Sequence, residues 1–188
     1  MEANASGKNA VHLALYDWLG CYFKGGRIVD LGSELGFGLR RLVRRDRMVI
    51  GMDFHLDALM ISNTDDGEGR RINHLCSDGE SIPLPTASID GLCMVNVLHL
   101  VKNPRRVLEE SWRILSPGSE LVVCVPTDIN LPDRWRVPSE ISFFRMILHS
   151  VFEKVQLLHE RNTGQDPSLV LPCQLLRSGL LTAVCTRT

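Results

Sequence analysis

Residues 27–53, RIVDLGSELGFGLRRLVRRDRMVIGMD, decide the fold. Arg27 to Leu31 is a short apolar run interrupted by one acid, the pattern of a strand buried on both faces. Asp30-Leu-Gly32-Ser-Glu34-Leu-Gly36-Phe-Gly38 forms a glycine-rich turn. Leu39, Leu42 and Val43 mark the inner face of a helix predicted to reach about Arg45. Met48 to Met52 is a second buried strand, ended by Asp53, twenty-one residues after Gly32. An open α/β sheet binds ligands beyond the carboxyl ends of its strands. There, glycines admit a close backbone approach and a carboxylate after the second strand can accept both hydroxyls of a ribose. The dinucleotide fingerprint GxGxxG fits poorly, because it would require glycine at Glu34 and Phe37.

The alternation of strand and helix continues outward from this stretch. On the amino side, residues 1–10 read as a loose polar tail. Residues 9–23 read as a helix with Val11, Leu15, Trp18, Leu19 and Tyr22 on one stripe, ended by Gly25-Gly26. On the carboxyl side the pattern predicts a helix over 55–62, a strand over 72–76, a loop over 79–88 and a buried strand over 89–98. A helix follows over 104–116, stopped by Pro117-Gly118, and then a fifth strand over 120–125. Residues 139–151 form an amphipathic helix with Ile141, Phe144, Ile147 and Val151 inward. Strands over 154–159 and 180–186, with no long helix between them, should pair antiparallel. The whole is an α/β chain with one Rossmann-like, doubly wound, mostly parallel sheet and an antiparallel last strand.

At this point the sequence resembles the class I S-adenosylmethionine-dependent methyltransferases, in particular the small-molecule group called type 11. Asp30 to Gly36 is similar to the family's first motif, D-x-G-x-G-x-G, with Glu34 in place of the middle glycine. Asp53, in VIGMDFHLDAL, falls on its acidic ribose ligand. Asp78 to Asp90, DGESIPLPTASID, looks like D-x-x-x-L-P-F-x-x-x-S-F-D, in which Asp78 would hold the adenine amino group. VLHLVKNPRRVLEESWRILSPGSELVV is similar to the family's stretch after the fourth strand. Four motifs in order at correct spacing make the resemblance specific. It implies one methyltransferase-like domain over 1–188: tail and helix over 1–24, cofactor-binding core over 26–125, carboxyl-terminal helix and strand pair over 126–188.

The resemblance further implies S-adenosylmethionine as cofactor, with S-adenosylhomocysteine as product. Its contacts would be Asp30, Gly32, Ser33, Glu34 and Gly36 in the turn, Asp53 and Phe54 after the second strand, Asp78 and Gly79 in the loop, and Asn96 after the fourth strand, beside Met94 and Val95. Each position has a plainer alternative. Asp30 either holds the turn, or touches the cofactor, or is only a turn residue. Asp53 can be an N-cap and Asp78 a turn starter. His99 is the one weak candidate for a general base, against packing between strand and helix. The run Arg40, Arg41, Arg44, Arg45 and Arg47 reads as a solvated helix face rather than an RNA patch. Tyr16, Trp18, Trp135 and Phe143 either wall an acceptor pocket or belong to the core.

Composition narrows the classes. The chain has 188 residues with 44% hydrophobic and 23% charged, ordinary globular proportions that need no disulfide or metal for stability. Lys plus Arg is 21 against 22 for Asp plus Glu, so the basic excess of a phosphate-neutralising nucleic-acid binder is missing. The six cysteines are scattered without CxxC or zinc-ligand spacing, which suggests reduced thiols, no metal and a cytoplasmic protein. No apolar run approaches bilayer length.

The expected function is methyl transfer to a small-molecule acceptor. Little material is left for a lid, so a homodimer or a protein partner can complete the acceptor site. Glu34 motivates the alternative, a methyltransferase-like protein that no longer catalyses and serves as a binding or scaffold subunit. An RNA methyltransferase ranks third.

Overall fold

Among the described residues seven strands form a single, mostly parallel sheet. The computed structural model describes residues 2–62, 72–126, 140–158 and 180–188, with the backbone alone for 2–9 and 140. The elements run α1 (Glu2–Tyr22), β1 (Arg27–Leu31), α2 (Leu39–Leu42), β2 (Met48–Asp53), α3 (Leu56–Ile61), β3 (Ile72–Cys76) and β4 (Ile89–Val95). They continue with α4 (Pro104–Ile114), β5 (Leu115–Pro126), α5 (Glu140–His149), β6 (Lys154–Leu157) and β7 (Leu180–Thr186). β1 pairs parallel with β2 and β4, β2 with β3, and β4 with β5. β7 runs antiparallel to both β5 and β6, which gives the order β3-β2-β1-β4-β5-β7-β6. The predicted doubly wound sheet with a reversed last strand is therefore the fold.

Alternate residues of each strand point to opposite faces, and both faces are covered. Val29, Leu31, Leu92 and Met94 pack with Val107 and Leu108 of α4 and Phe144 and Leu148 of α5. Ile28, Val49, Cys93 and Val95 pack with Leu15 and Leu19 of α1 and Leu39 and Leu42 of α2. Asp30, two residues beyond Ile28, thus faces α1. α4 is nucleated by Asn103, whose side chain accepts the Arg106 N–H, followed by Pro104 at the first helical position.

Several boundaries differ from the sequence pattern. α1 begins at Glu2, so residues 2–8 extend a helix instead of forming a tail. α2 is one turn and stops at Leu42, because side chains take the carbonyls that a longer helix would use: Arg44 donates to Arg41 O and Val43 O, and Arg47 to Leu42 O. β4 stops at Val95, where Asn96 turns into the left-handed region at φ 59°. α4 ends at Ile114, and Pro117-Gly118 lies inside β5, at a register irregularity against β4. α5 buries Phe144 and Leu148, with Phe152 following, which rotates Ile141 out to 45% exposure. Trp135, Cys173 and the segment joining β6 to β7 lie outside the described residues.

Candidate cofactor site at the carboxyl ends of β1, β2 and β4

The strand order reverses between β1 and β4, and the glycine turn leaves β1 at that crevice. The N–H groups of Gly32 and Ser33 both donate to Met52 O, at 2.7 and 3.1 Å, which ties the turn to the end of β2. Gly32, Glu34 and Gly36 all have positive φ, at 82°, 48° and 76°. Gly32 could carry no side chain, since a Cβ would lie 2.1 Å from Val97 Cγ2. Glu34 is the one residue in the turn that bears a side chain in this region, a conformation that costs about 1 kcal/mol or more for a non-glycine residue. It is exposed.

Asp53 is nearly buried and fastens the turn from below. Its Oδ2 accepts the Glu34 N–H at 3.0 Å and its Oδ1 the His55 N–H at 2.9 Å. His55, not Asp53, is the N-cap residue of α3, so the N-cap alternative for Asp53 does not describe this geometry. Phe54 beside it is 68% exposed, with its ring against that of His55.

Asp30 does something the sequence did not suggest. It is fully buried, and its partners are side chains from other elements: the Tyr16 hydroxyl donates to Oδ1 and Oδ2 at 3.2 and 3.0 Å, and the Cys93 thiol to Oδ1 at 3.3 Å. Burial pushes its carboxyl up to about 6; the Cys93 and Tyr16 hydrogen bonds oppose that rise, and the charge of Asp53 adds to it. Burial, then the neighbouring Asp30, pushes the Tyr16 hydroxyl and the Cys93 thiol upward in turn. Among the described residues no lysine or arginine forms an ion pair with Asp30, Glu34 or Asp53.

The remaining candidates divide. Asp78 is exposed and its Oδ1 accepts the Glu80 N–H at 2.9 Å, which is a turn geometry. Gly79 brings this loop over the end of β1, where a Cβ would meet Leu31 Cδ2 at 3.3 Å. Asn96 Nδ2 lies 2.7 Å from His12 Nε2, while its Oδ1 is buried without a partner. Met94 and Val95 do not line the crevice; their side chains belong to the two core faces. His99 is buried with Nδ1 unpartnered, and burial lowers its pKa, which keeps the ring neutral. Ser33 Oγ is also buried without a partner.

Tyr16 turns out to be a core residue that reaches the site, whereas Trp18 stacks on Tyr22, whose hydroxyl donates to Glu120 near the other end of the strands. Phe143 packs partly buried against the α4–α5 core. Arg47 leaves the predicted solvated face and is buried, donating to the carbonyls of Gly20, Phe23, Gly25 and Leu42. Sequence reasoning missed His12 and the side-chain partners of Asp30, because they sit 84, 14 and 63 residues from what they touch. Among the described residues no three His, Cys, Asp or Glu side chains come together as a metal site, and no helix is long and apolar enough to cross a membrane.

A protein-family comparison matches residues 29–123 to the family described as methyltransferase domain. A demethylmenaquinone methyltransferase of Tropheryma whipplei is 29% identical over 134 residues, which cover 71% of this chain and 53% of that protein. The biotin biosynthesis bifunctional protein BioHC of Cellvibrio japonicus is 25% identical over 116 residues, 62% of this chain and 23% of that protein. The chain thus spans about half the length of the first relatives it matches. Among solved structures, the plantazolicin methyltransferase BpumL in complex with SAH superposes with TM-score 0.68 at 16% identity, over all of this chain and 90% of that one. A putative methyltransferase in complex with the Haloferax volcanii Trm112 methyltransferase activator superposes with TM-score 0.65 at 18% identity, over 98% and 95%. At such identities these likenesses show the fold.

Proposed function

Starting from the fact that this chain belongs to the methyltransferase-domain family, we propose that it transfers a methyl group from S-adenosylmethionine to a small-molecule acceptor, as one domain over 1–188. The observation that carries this reading is Asp53. Each of its oxygens takes one backbone N–H, and a carboxylate can accept about four hydrogen bonds, so acceptor capacity for a ribose diol is left at the end of β2. The glycine turn, Asp78, Gly79 and Phe54 would meet the rest of the nucleoside, and Asn96 the amino-acid end. Bound there, the cofactor supplies an activated methyl group on a sulfonium, so the chemistry asks mainly for alignment and exclusion of water. The protein's part is to hold the acceptor against α1 and the turn after β4. The demethylmenaquinone methyltransferase relative supports a small-molecule acceptor, and His99 is the side chain proposed as an optional proton acceptor.

Glu34 favours a second reading, a catalytically silent subunit that works with a protein partner. It holds a strained φ at the position where the family has glycine, and it adds a third carboxylate to the turn. The structural neighbour in complex with a methyltransferase activator supports a partner of some kind.

Isothermal titration with S-adenosylmethionine and S-adenosylhomocysteine separates the two. Binding by the wild type, weakened about tenfold to a hundredfold in Asp53→Ala, is expected for the enzyme. Silence in the wild type with binding regained in Glu34→Gly would favour the scaffold.

A further inference from the structure

Tyr16 touches the strand that leads into the glycine turn and the far end of the turn itself. Its hydroxyl donates to Asp30 in β1, and its ring fills the space beside Gly38, where a Cβ would lie 2.2 Å from Tyr16 Cε1. One helical turn earlier on the same face of α1, His12 meets Asn96 at the end of β4. The 2.7 Å contact joins His12 Nε2 to the Asn96 side-chain amide, with the donor set by the tautomer of the ring. α1 is therefore pinned across the crevice between β1 and β4 by two polar contacts, above the apolar seat of Leu15 and Leu19.

The Asp30 contact differs in kind from ordinary packing. Asp30 is faced by Tyr16 from α1, by Cys93 from β4 and by Asp53 from β2, and none of these groups is cationic. Among the described residues a hydroxyl and a thiol are the donors that reach its side chain, and the hydroxyl is the stronger. A displacement of the turn that a ligand imposes bears on the Tyr16 ring at Gly38, and Tyr16 is held in turn by its hydroxyl on Asp30 near the end of β1. Conversely, undocking α1 would strip the buried Asp30 carboxylate, two residues before the turn, of its main partner.

From this we propose that Tyr16 is a positioning residue that couples docking of α1 to ligand binding at the glycine turn. The proposal rests on the reading of that turn as an adenosyl cofactor site. It makes α1 a ligand-responsive wall of the acceptor side, with Asp30 as the link.

The test uses the full chain with S-adenosylhomocysteine as probe, combining titration with amide exchange of residues 10–22. Ligand should slow exchange in the wild type. Tyr16→Phe should keep a cooperative unfolding transition, lose the ligand-induced protection and weaken binding about tenfold, a coupling of ordinary size. Tyr16→Phe/Asp30→Asn should recover most of the affinity, since the charge that needed the hydroxyl is gone. Wild-type affinity and protection in Tyr16→Phe would overturn the proposal, and so would a double variant no better than the single one, which would make the role one of packing. Binding that leaves exchange of 10–22 unchanged in the wild type sinks the coupling alone. Absence of binding by the wild type removes the function reading together with it.

Discussion

Asp30 sits in full burial with a hydroxyl and a thiol for partners, and its protonation sets a pH dependence of known sign. Its folded value, raised to about 6 from 3.8, means that the native state binds the proton more tightly than the unfolded chain. Its contribution to stability is therefore greatest below about pH 4 and declines as pH rises towards and through about 6, by roughly 2–3 kcal/mol in all. Asp30→Asn should lose this slope, so the variant gains on the wild type between pH 4 and pH 7 in urea unfolding; parallel curves would show that the carboxyl titrates normally. Arg47 is the opposite case, a cation whose guanidinium serves four carbonyls from α1, the turn after it and α2, with its pKa lowered chiefly by burial. Arg47→Met keeps the stem and strands those acceptors. It should lower stability by about 3 kcal/mol, with Arg47→Lys recovering only part, because one ammonium cannot span the fork. A shift in the urea midpoint below a third of that would mean that water replaces the guanidinium.

At the scale of elements, α4 holds the loop that carries Asp78. Glu110 Oε2 accepts the Ile82 N–H at 2.8 Å and pairs with Arg113, which returns bonds to Ile82 O and Leu84 O at 2.7 and 2.8 Å. The Arg113 hydrogen bond leads the causes that hold the Glu110 carboxyl below its usual value, so its stabilisation is present above the unfolded pKa and fades as pH falls. Glu110→Ala should cost about 2–3 kcal/mol and speed amide exchange at Ile82, while β5 and β7 exchange as before. Equal acceleration across the sheet would instead mean global loosening. The same helix shows why boundaries escaped the sequence pattern. The apolar period ran through Leu115, but Leu115 already pairs with Ile89 as strand, so the sheet ladder outcompetes the last turn of helix. In α5, spacing alone fitted Ile141, Phe144, Ile147 and Val151. The helix buries Phe144 and Leu148 and keeps Ile147 and Val151 partly buried against the same core, so that of the four only Ile141 turns outward.

Across the whole molecule, β1 and β4 lie side by side at the centre of the sheet, so that the segments after them, 60 and more residues apart, meet at one crevice under α1. The strand–turn–helix alternation, the parallel sheet, the reversed last strand and the placement of Asp53 after β2 were all legible in the chain, because each is written in local patterns: apolar runs, glycine positions and a carboxylate at fixed spacing. The turn at Asp78 was legible for the same reason. What only the tertiary structure decided is which side chains complete one another. Asp30 draws its donors from α1 and β4, Asn96 meets His12, Arg47 leaves the surface to close two helix ends, and Glu110 clamps a loop 28 residues away. Periodicity reports whether a residue is buried, since burial repeats with the helix or the strand. It carries no information about which polar group from a distant segment will satisfy a buried one, because that follows from the superposition of elements in space.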